Sequence, residues 1–143
     1  MTTPPTPATP TAETVFASLD EVRAAVGRPL GTSDWLEITQ DRLDRFAEAT
    51  GDADHSYLPL ALTNLFLPQI VEVRGASLGV NYGTGTVRLG SPVVAGTRVR
   101  GRAELVVCDD IPGGVQTTMR ITVEMEGGDE PACVVDSLSR WLA

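Results

Sequence analysis

The chain's only imidazole, His55, stands in a short polar run, Asp52-Ala53-Asp54-His55-Ser56-Tyr57. An imidazole can accept a proton and pass it on, and a carboxylate three residues away can share the work, so the run fits general acid/base chemistry. Asp52 and His55 are the candidate catalytic pair. Asp54 reads either as a displaced acid or as an exposed loop carboxylate or helix cap. Other chemistries lack their parts. All eleven basic residues are arginine, which excludes a lysine Schiff base and pyridoxal phosphate held through one. One histidine and two distant cysteines, Cys108 and Cys133, offer no zinc spacing, so no metal and no cofactor is expected. Gly75-Ala76-Ser77-Leu78-Gly79 copies the G-x-S-x-G pattern of serine hydrolases. That pattern needs a helix after the serine and a histidine downstream, and here a strand is expected to follow while His55 lies upstream. Gly83, Gly85 and Gly90 are spaced wrongly for a phosphate loop and read as places where a strand bends.

Several elements must hold the polar run in place. Ser18, with Glu21 three residues on, forms a capping box for a first helix whose apolar stripe is Leu19, Val22 and Val26, with Gly27 as its stop. An extended piece over residues 35–38 leads to a second helix beginning after Thr39. Ile38 and Leu43 stand as its hydrophobic staple, Leu43, Phe46, Ala47 and Thr50 share one face, and Gly51 ends it. Residues 57–73 are the most apolar stretch. Pro59 suits only a first turn, so a third helix is expected from near Ser56 to near Pro68. Leu58, Leu60, Leu62, Leu65, Phe66 and Leu67 leave it no polar face, and it should be buried on nearly all sides. At roughly eleven residues it is too short to cross a bilayer.

From Ala76 onward the hydrophobic period changes from 3.6 to 2. Val99, Gly101, Ala103, Leu105 and Val107 alternate with polar residues, as do Met119, Ile121, Val123 and Met125. These are two half-buried strands of a hairpin, with Asp109, Asp110, Pro112, Gly113 and Gly114 expected in its turn. Residues 133–141 supply a last strand. Helices followed by an antiparallel meander with one apolar face make an α+β fold, with the sheet wrapped around one buried central helix. Residues 1–12, rich in proline and threonine, read as a disordered tail, and residues 13–143 as one domain. A net charge of −8 opposes nucleic acid and anionic membranes as partners. No secretory leader is legible, and the chain reads as cytoplasmic.

Residues 30–52, LGTSDWLEITQDRLDRFAEATGD, resemble the amino-terminal signature of MaoC-like (R)-specific enoyl-CoA hydratases. The shared positions are Ser33, Asp34, Trp35, Ile38, Thr39, Gln40, Phe46, Ala47, Ala49, Thr50, Gly51 and Asp52. Residues 67–75 (LPQIVEVRG), 80–83 (VNYG), 87–93 (VRLGSPV) and 96–105 (GTRVRGRAEL) are similar too. The resemblance implies a hotdog fold, a homodimer, and an acyl-thioester substrate held at the subunit interface. It also implies that Asp52 is the family's catalytic aspartate and that Ser56 offers a backbone N–H where the family has a glycine. Arg88 falls at a family position near the substrate channel, though a solvated strand arginine reads equally well. Thr86 stands where a basic residue is common. Tyr57 and Asn64 are polar groups on the apolar helix: substrate-binding residues, or a rim hydroxyl and a backbone-bonded amide.

The chain departs from the family between Asp52 and the central helix. The family has a loop there with a catalytic histidine, then an Ala-His-Gly at the helix start. Here about twenty residues are missing, an excision a surface loop tolerates. His55 is either moved into the catalytic role or equivalent to the histidine at the helix start. Three functions stay open. The first is an acyl-thioester hydratase or dehydratase with a reduced site. The second is the same scaffold recruited to a cyclisation or isomerisation in specialised metabolism. The third is a non-catalytic hotdog subunit. A hotdog thioesterase fits less well, since residues 56–70 contain no acidic residue.

Overall fold

The computed structural model describes residues 12–143. The order of elements is β1 (Thr14–Phe16), α1 (Leu19–Ala24), β2 (Pro29–Thr32), β3 (Leu36–Glu37), α2 (Gln40–Thr50), α3 (Leu58–Ile70), β4 (Val71–Val73), β5 (Leu78–Leu89), β6 (Arg98–Ile111), β7 (Gly114–Met125) and β8 (Cys133–Leu142). The expected caps are present. Glu21 N donates to Ser18 Oγ at 3.2 Å, and Arg42 N to Thr39 Oγ1 at 3.1 Å. Gly51 closes α2 in the left-handed conformation, φ 75°, which a residue without Cβ adopts freely.

The main sheet is antiparallel, in the order β2-β6-β7-β8-β5, with β3 also on β6. Its inner face is the alternation legible in the sequence: Val99, Ala103, Leu105, Val115, Met119, Ile121, Val123, Cys133 and Val135 are all buried. The central helix α3 lies on that face, turning Leu58, Leu62, Phe66 and Ile70 inward at four-residue spacing. Burying each of these large side chains stabilises the fold by about 1.5–3 kcal/mol. Gly101 makes the close approach possible, since a Cβ there would lie 2.8 Å from Phe66 Cβ. Ser33 grips the same glycine: its N–H donates to the Gly101 carbonyl at 2.8 Å, and its hydroxyl accepts from Gly101 N at 2.9 Å. The Ser-Asp-Trp run is therefore a structural brace, with the Trp35 ring 4.4 Å beneath the Arg100 guanidinium.

Three expectations need correction. The central helix is not buried on nearly all sides: Ala61, Asn64, Leu65 and Pro68 form an exposed stripe at helical spacing. An apolar composition does not ensure burial when the single chain has nothing to lay over that side. The helix also starts at Leu58 and runs two residues past Pro68, because Pro68 sits in its last turn, where a missing N–H costs one bond only. In the hairpin, Asp109 and Asp110 belong to β6, paired with Gln116 and Val115, and the corner narrows to Pro112 and Gly113. Gly113 at φ 82° supplies the tight turn. The tail expected over residues 1–12 lies outside the described residues except for Ala12, which is buried.

A parallel pairing was not expected at all. β1 and β4 form a separate parallel pair, Thr14 opposite Val71 and Phe16 opposite Val73. β5 is the edge strand of the main sheet and is exposed for nearly its whole length. Its ladder with β8 slips register between Asn81 and Gly83 and again between Thr84 and Val87, spans that include Gly83 and Gly85, while Gly90 falls just past the strand.

Candidate active site

Residues 51–57 link α2 to α3, and the polar run lies within them. Thr50 Oγ1 accepts from Asp52 N at 3.1 Å, which starts the turn. The Asp52 carboxylate then reaches forward to the start of α3. Tyr57 N donates to Asp52 Oδ2 at 2.9 Å, and Ser56 Oγ donates to Oδ1 at 3.3 Å. A carboxylate on the first free N–H groups of a helix satisfies donors that have no helical partner and meets the positive end of the helix dipole. Inside this loop His55 N donates to the Asp52 carbonyl at 3.2 Å, and Leu58 N donates to the His55 carbonyl at 3.1 Å.

His55 has φ 57°, and it is the one non-glycine residue with positive φ among the described residues. Backbone of that kind is unfavourable for a side-chain-bearing residue and persists where its surroundings impose it, commonly at functional sites. The turn sets His55, Asp54 and Ser56 on the wall of a cavity of about 150 Å³, closed opposite by Leu89, Ser91 and Val93. The Ser56 amide N–H has no partner among the described hydrogen bonds. A free amide at the start of a 13-residue helix, beside an imidazole, is an arrangement that can receive a carbonyl oxygen as it gains negative charge.

The sequence-predicted residues are only partly brought together. Asp52, His55 and Ser56 share the loop, but no hydrogen bond or ion pair joins the Asp52 carboxylate to the His55 imidazole among the described residues. Tyr57 is exposed at the helix rim. Asn64 lies further along α3 and bonds not to backbone but to a side chain: Asn81 Nδ2 donates to Asn64 Oδ1 at 3.0 Å. Arg88 is exposed on β5, opposite Val134, with no carboxylate partner among the described residues. Leu89, Ser91 and Val93 form a wall that sequence reasoning did not single out as functional; the likeness of residues 87–93 to the family was the one signal that touched it. Among the described residues no group of three potential ligands could hold a metal ion.

No family model matches the chain. Among curated proteins it is similar to 3-hydroxyacyl-thioester dehydratase Z of Mycobacterium tuberculosis, with 38% identity over 148 aligned positions covering 90% of this chain and 98% of that protein. Two solved structures share the fold. One is the monoamine oxidase regulatory protein of Archaeoglobus fulgius, with a TM-score of 0.68 and 15% identity, covering 92% of this chain and 97% of the other. The second is the MaoC-like dehydratase of Rhodospirillum rubrum, with a TM-score of 0.66 and 14% identity, covering 82% and 92%. The chain belongs to the MaoC-like hotdog family. Nine-tenths of a 143-residue chain supplies about 129 residues to those 148 positions, so this MaoC-like protein lacks a counterpart at about 19 of them. No helix among its described residues is long and apolar enough to cross a membrane.

Proposed function

We propose that the protein is a hydratase or dehydratase of acyl thioesters in which His55 is the single acid/base and Asp52 shapes the loop that carries it. The observation that supports this most is the loop itself: a left-handed histidine and an unpartnered Ser56 N–H at one cavity, on the start of the central helix. In the dehydration direction the imidazole takes a proton from C2 of a 3-hydroxyacyl thioester. The C2–C3 double bond forms as the C3–oxygen bond breaks, and the imidazolium returns a proton to the departing hydroxyl as water. The thioester oxygen, richer in charge at that moment, rests on the Ser56 N–H. Hydration is the same path reversed. One imidazole serves for both proton steps, so the absent family histidine need not be replaced by a second group. In this reading the positions without counterpart are those of the loop between Asp52 and α3.

We further propose a homodimer. Leu65 on α3 and Leu78, Val80 and Tyr82 on β5 are exposed apolar residues beside an open sheet edge, a combination that a second copy would cover. The reading as a non-catalytic subunit is favoured by one observation, the engagement of the Asp52 carboxylate with Tyr57 N–H and Ser56 Oγ instead of the imidazole. A single experiment separates the two. Purified protein is given crotonyl-coenzyme A and loss of the enoyl absorbance is followed. Turnover that falls about 10²–10⁴-fold in His55→Ala supports the enzyme. Absence of turnover at any protein concentration, with co-purification of a full-length relative, supports the subunit.

A further inference from the structure

We infer that Ser91 holds the hydroxyl that leaves C3 as water, while Glu130 turns the serine's own proton away; the inference deepens the acyl-thioester reading above and rests on it. The His55 cavity has two walls. Asp54, His55, Ser56 and Pro59, around the start of α3, make the first. Leu89, Gly90, Ser91, Pro92, Val93 and Ala132 make the second, and Ser91 alone among these has a polar side chain. Its hydroxyl donates to Glu130 Oε2 at 3.2 Å. A hydroxyl whose hydrogen is committed in this way keeps its oxygen lone pairs free to accept. A carboxylate partner also makes that oxygen a better acceptor, since hydrogen bonds in a chain polarise one another. Ser91 is therefore suited to take a hydrogen from a group inside the cavity.

The serine is fixed from behind. Gly90 N donates to the Ala132 carbonyl at 2.9 Å, and Ser91 N to the Pro131 carbonyl at 3.2 Å. The two segments run so close that a Cβ on Gly90 would collide with the Pro131 carbonyl oxygen. Pro92 steers the residue before it to extended backbone. Dehydration gives this held hydroxyl a task. As the imidazolium of His55 passes its proton to the departing oxygen, that oxygen's own hydrogen needs an acceptor. The Asp52 carboxylate is engaged with Tyr57 N–H and Ser56 Oγ. Ser91 Oγ, on the facing wall, is free to accept. The C3–oxygen bond breaks, water remains on Ser91, and the serine's O–H stays intact throughout. In hydration Ser91 accepts one hydrogen of the water and His55 the other, which leaves a lone pair for C3. Contacts at three points (Ser56 N–H on the thioester oxygen, His55 at C2, Ser91 at C3) tell the two hands of the 3-hydroxyl apart. The cavity is also clear of the surface proposed for a second copy, since Leu78, Val80 and Tyr82 lie at the other end of the 12-residue β5 from Leu89.

Binding gives a readout apart from turnover. The full chain carrying His55→Ala is titrated by calorimetry with each enantiomer of 3-hydroxybutyryl-coenzyme A and with butyryl-coenzyme A. One enantiomer is expected to bind at least about tenfold tighter than the butyryl thioester, as sites that bond a substrate hydroxyl discriminate. Adding Ser91→Ala should erase that margin and leave butyryl binding in place, whereas Ser91→Thr, which keeps a hydroxyl, should preserve it. With His55 intact, Ser91→Ala should lower kcat for crotonyl-coenzyme A hydration about tenfold or more at unchanged KM, because the crotonyl group has no hydroxyl to hold. Glu130→Leu should lower kcat in the same way, and Glu130→Gln, which keeps an acceptor oxygen for the Ser91 O–H, should recover part of the loss. Equal affinity for both enantiomers and the butyryl thioester overturns the inference, as does a margin that survives Ser91→Ala. So does a Ser91→Ala variant with a lower denaturation midpoint and a raised KM but undiminished kcat, the signature of a mere loop brace. A hydroxyl preference found without turnover in the unsubstituted chain would sink the dehydratase reading alone; turnover without that preference would sink this one alone.

Discussion

Asp52 tests how a carboxylate can be kept while its chemistry changes. If it serves as a positioning group, the side chain needs only an acceptor for Tyr57 N–H, which an amide oxygen provides. Asp52→Asn should then retain most of the hydratase rate, and removal of a negative charge near the Ser56 amide should, if anything, favour the charged thioester oxygen. Asp52→Ala loses the cap and should cost about 1 kcal/mol of stability, read as a lower denaturation midpoint, together with activity. A rate that collapses equally in both variants would make Asp52 a proton carrier. The cysteines respond to pH in a direction that burial fixes. Burial raises the thiol pKa of both Cys133 and Cys108 in the folded chain, with Arg23 partly opposing the shift at Cys108. The unfolded chain therefore gives up these protons first. Their contribution to stability is intact below the ordinary thiol range and is lost as pH rises through it toward the folded values. Correspondingly, a disulfide reagent at mildly alkaline pH should label Cys108 slowly, leave Cys133 untouched, and react with both at once in denaturant.

At the scale of elements, the contact between α3 and β6 is the most exposed to a single change. Gly101→Val places a branched side chain against Phe66 and the Ser33 brace, and should lower stability by about 1–3 kcal/mol without altering the loop at His55. Chemical denaturation measures it, and a neutral result would mean that α3 can shift away from the sheet. This contact also marks where the sequence was readable. The caps at Ser18 and Thr39, the stop at Gly51, and the strands through Val99 to Leu105 and Met119 to Val123 follow local rules of hydrogen bonding and period, so they were legible residue by residue. The pairings of Thr14–Phe16, Pro29–Thr32 and Val71–Val73 were not: each strand is only three or four residues long, and what makes it a strand is a partner far along the chain. The left-handed His55 and the turn of Asp52 toward Tyr57 N–H are equally illegible, because both depend on how a seven-residue link spans two helix ends. Resemblance gave the family and the likeness of Ser33, Asp34 and Trp35 to its signature, and the coordinates supplied the reason for two of them.

At the scale of the whole molecule, the exposed stripe on α3 and the open edge of β5 are where the proposed homodimer is tested. Leu65→Glu together with Val80→Arg should convert a dimer to monomers in light scattering, since each places a charge at the centre of the apolar patch. An unchanged mass would move the contact elsewhere. The eight ion pairs among the described residues are all at least partly solvated, for example Arg100 with Glu124 and Arg120 with Asp136. Surface pairs of this kind contribute little individually, so the fold depends mainly on the helix-in-sheet core.

The short parallel pair of β1 with β4 ties the front of the chain to the segment into which α3 runs without a loop, Ile70 being followed directly by Val71. Glu13 N also donates to the Gln69 carbonyl at 3.3 Å, one step further back along the helix. The leading strand thus works as a clasp on the far end of the central rod. Untethering Phe16 would therefore be felt first at the carboxyl end of α3, well before the loop that carries His55.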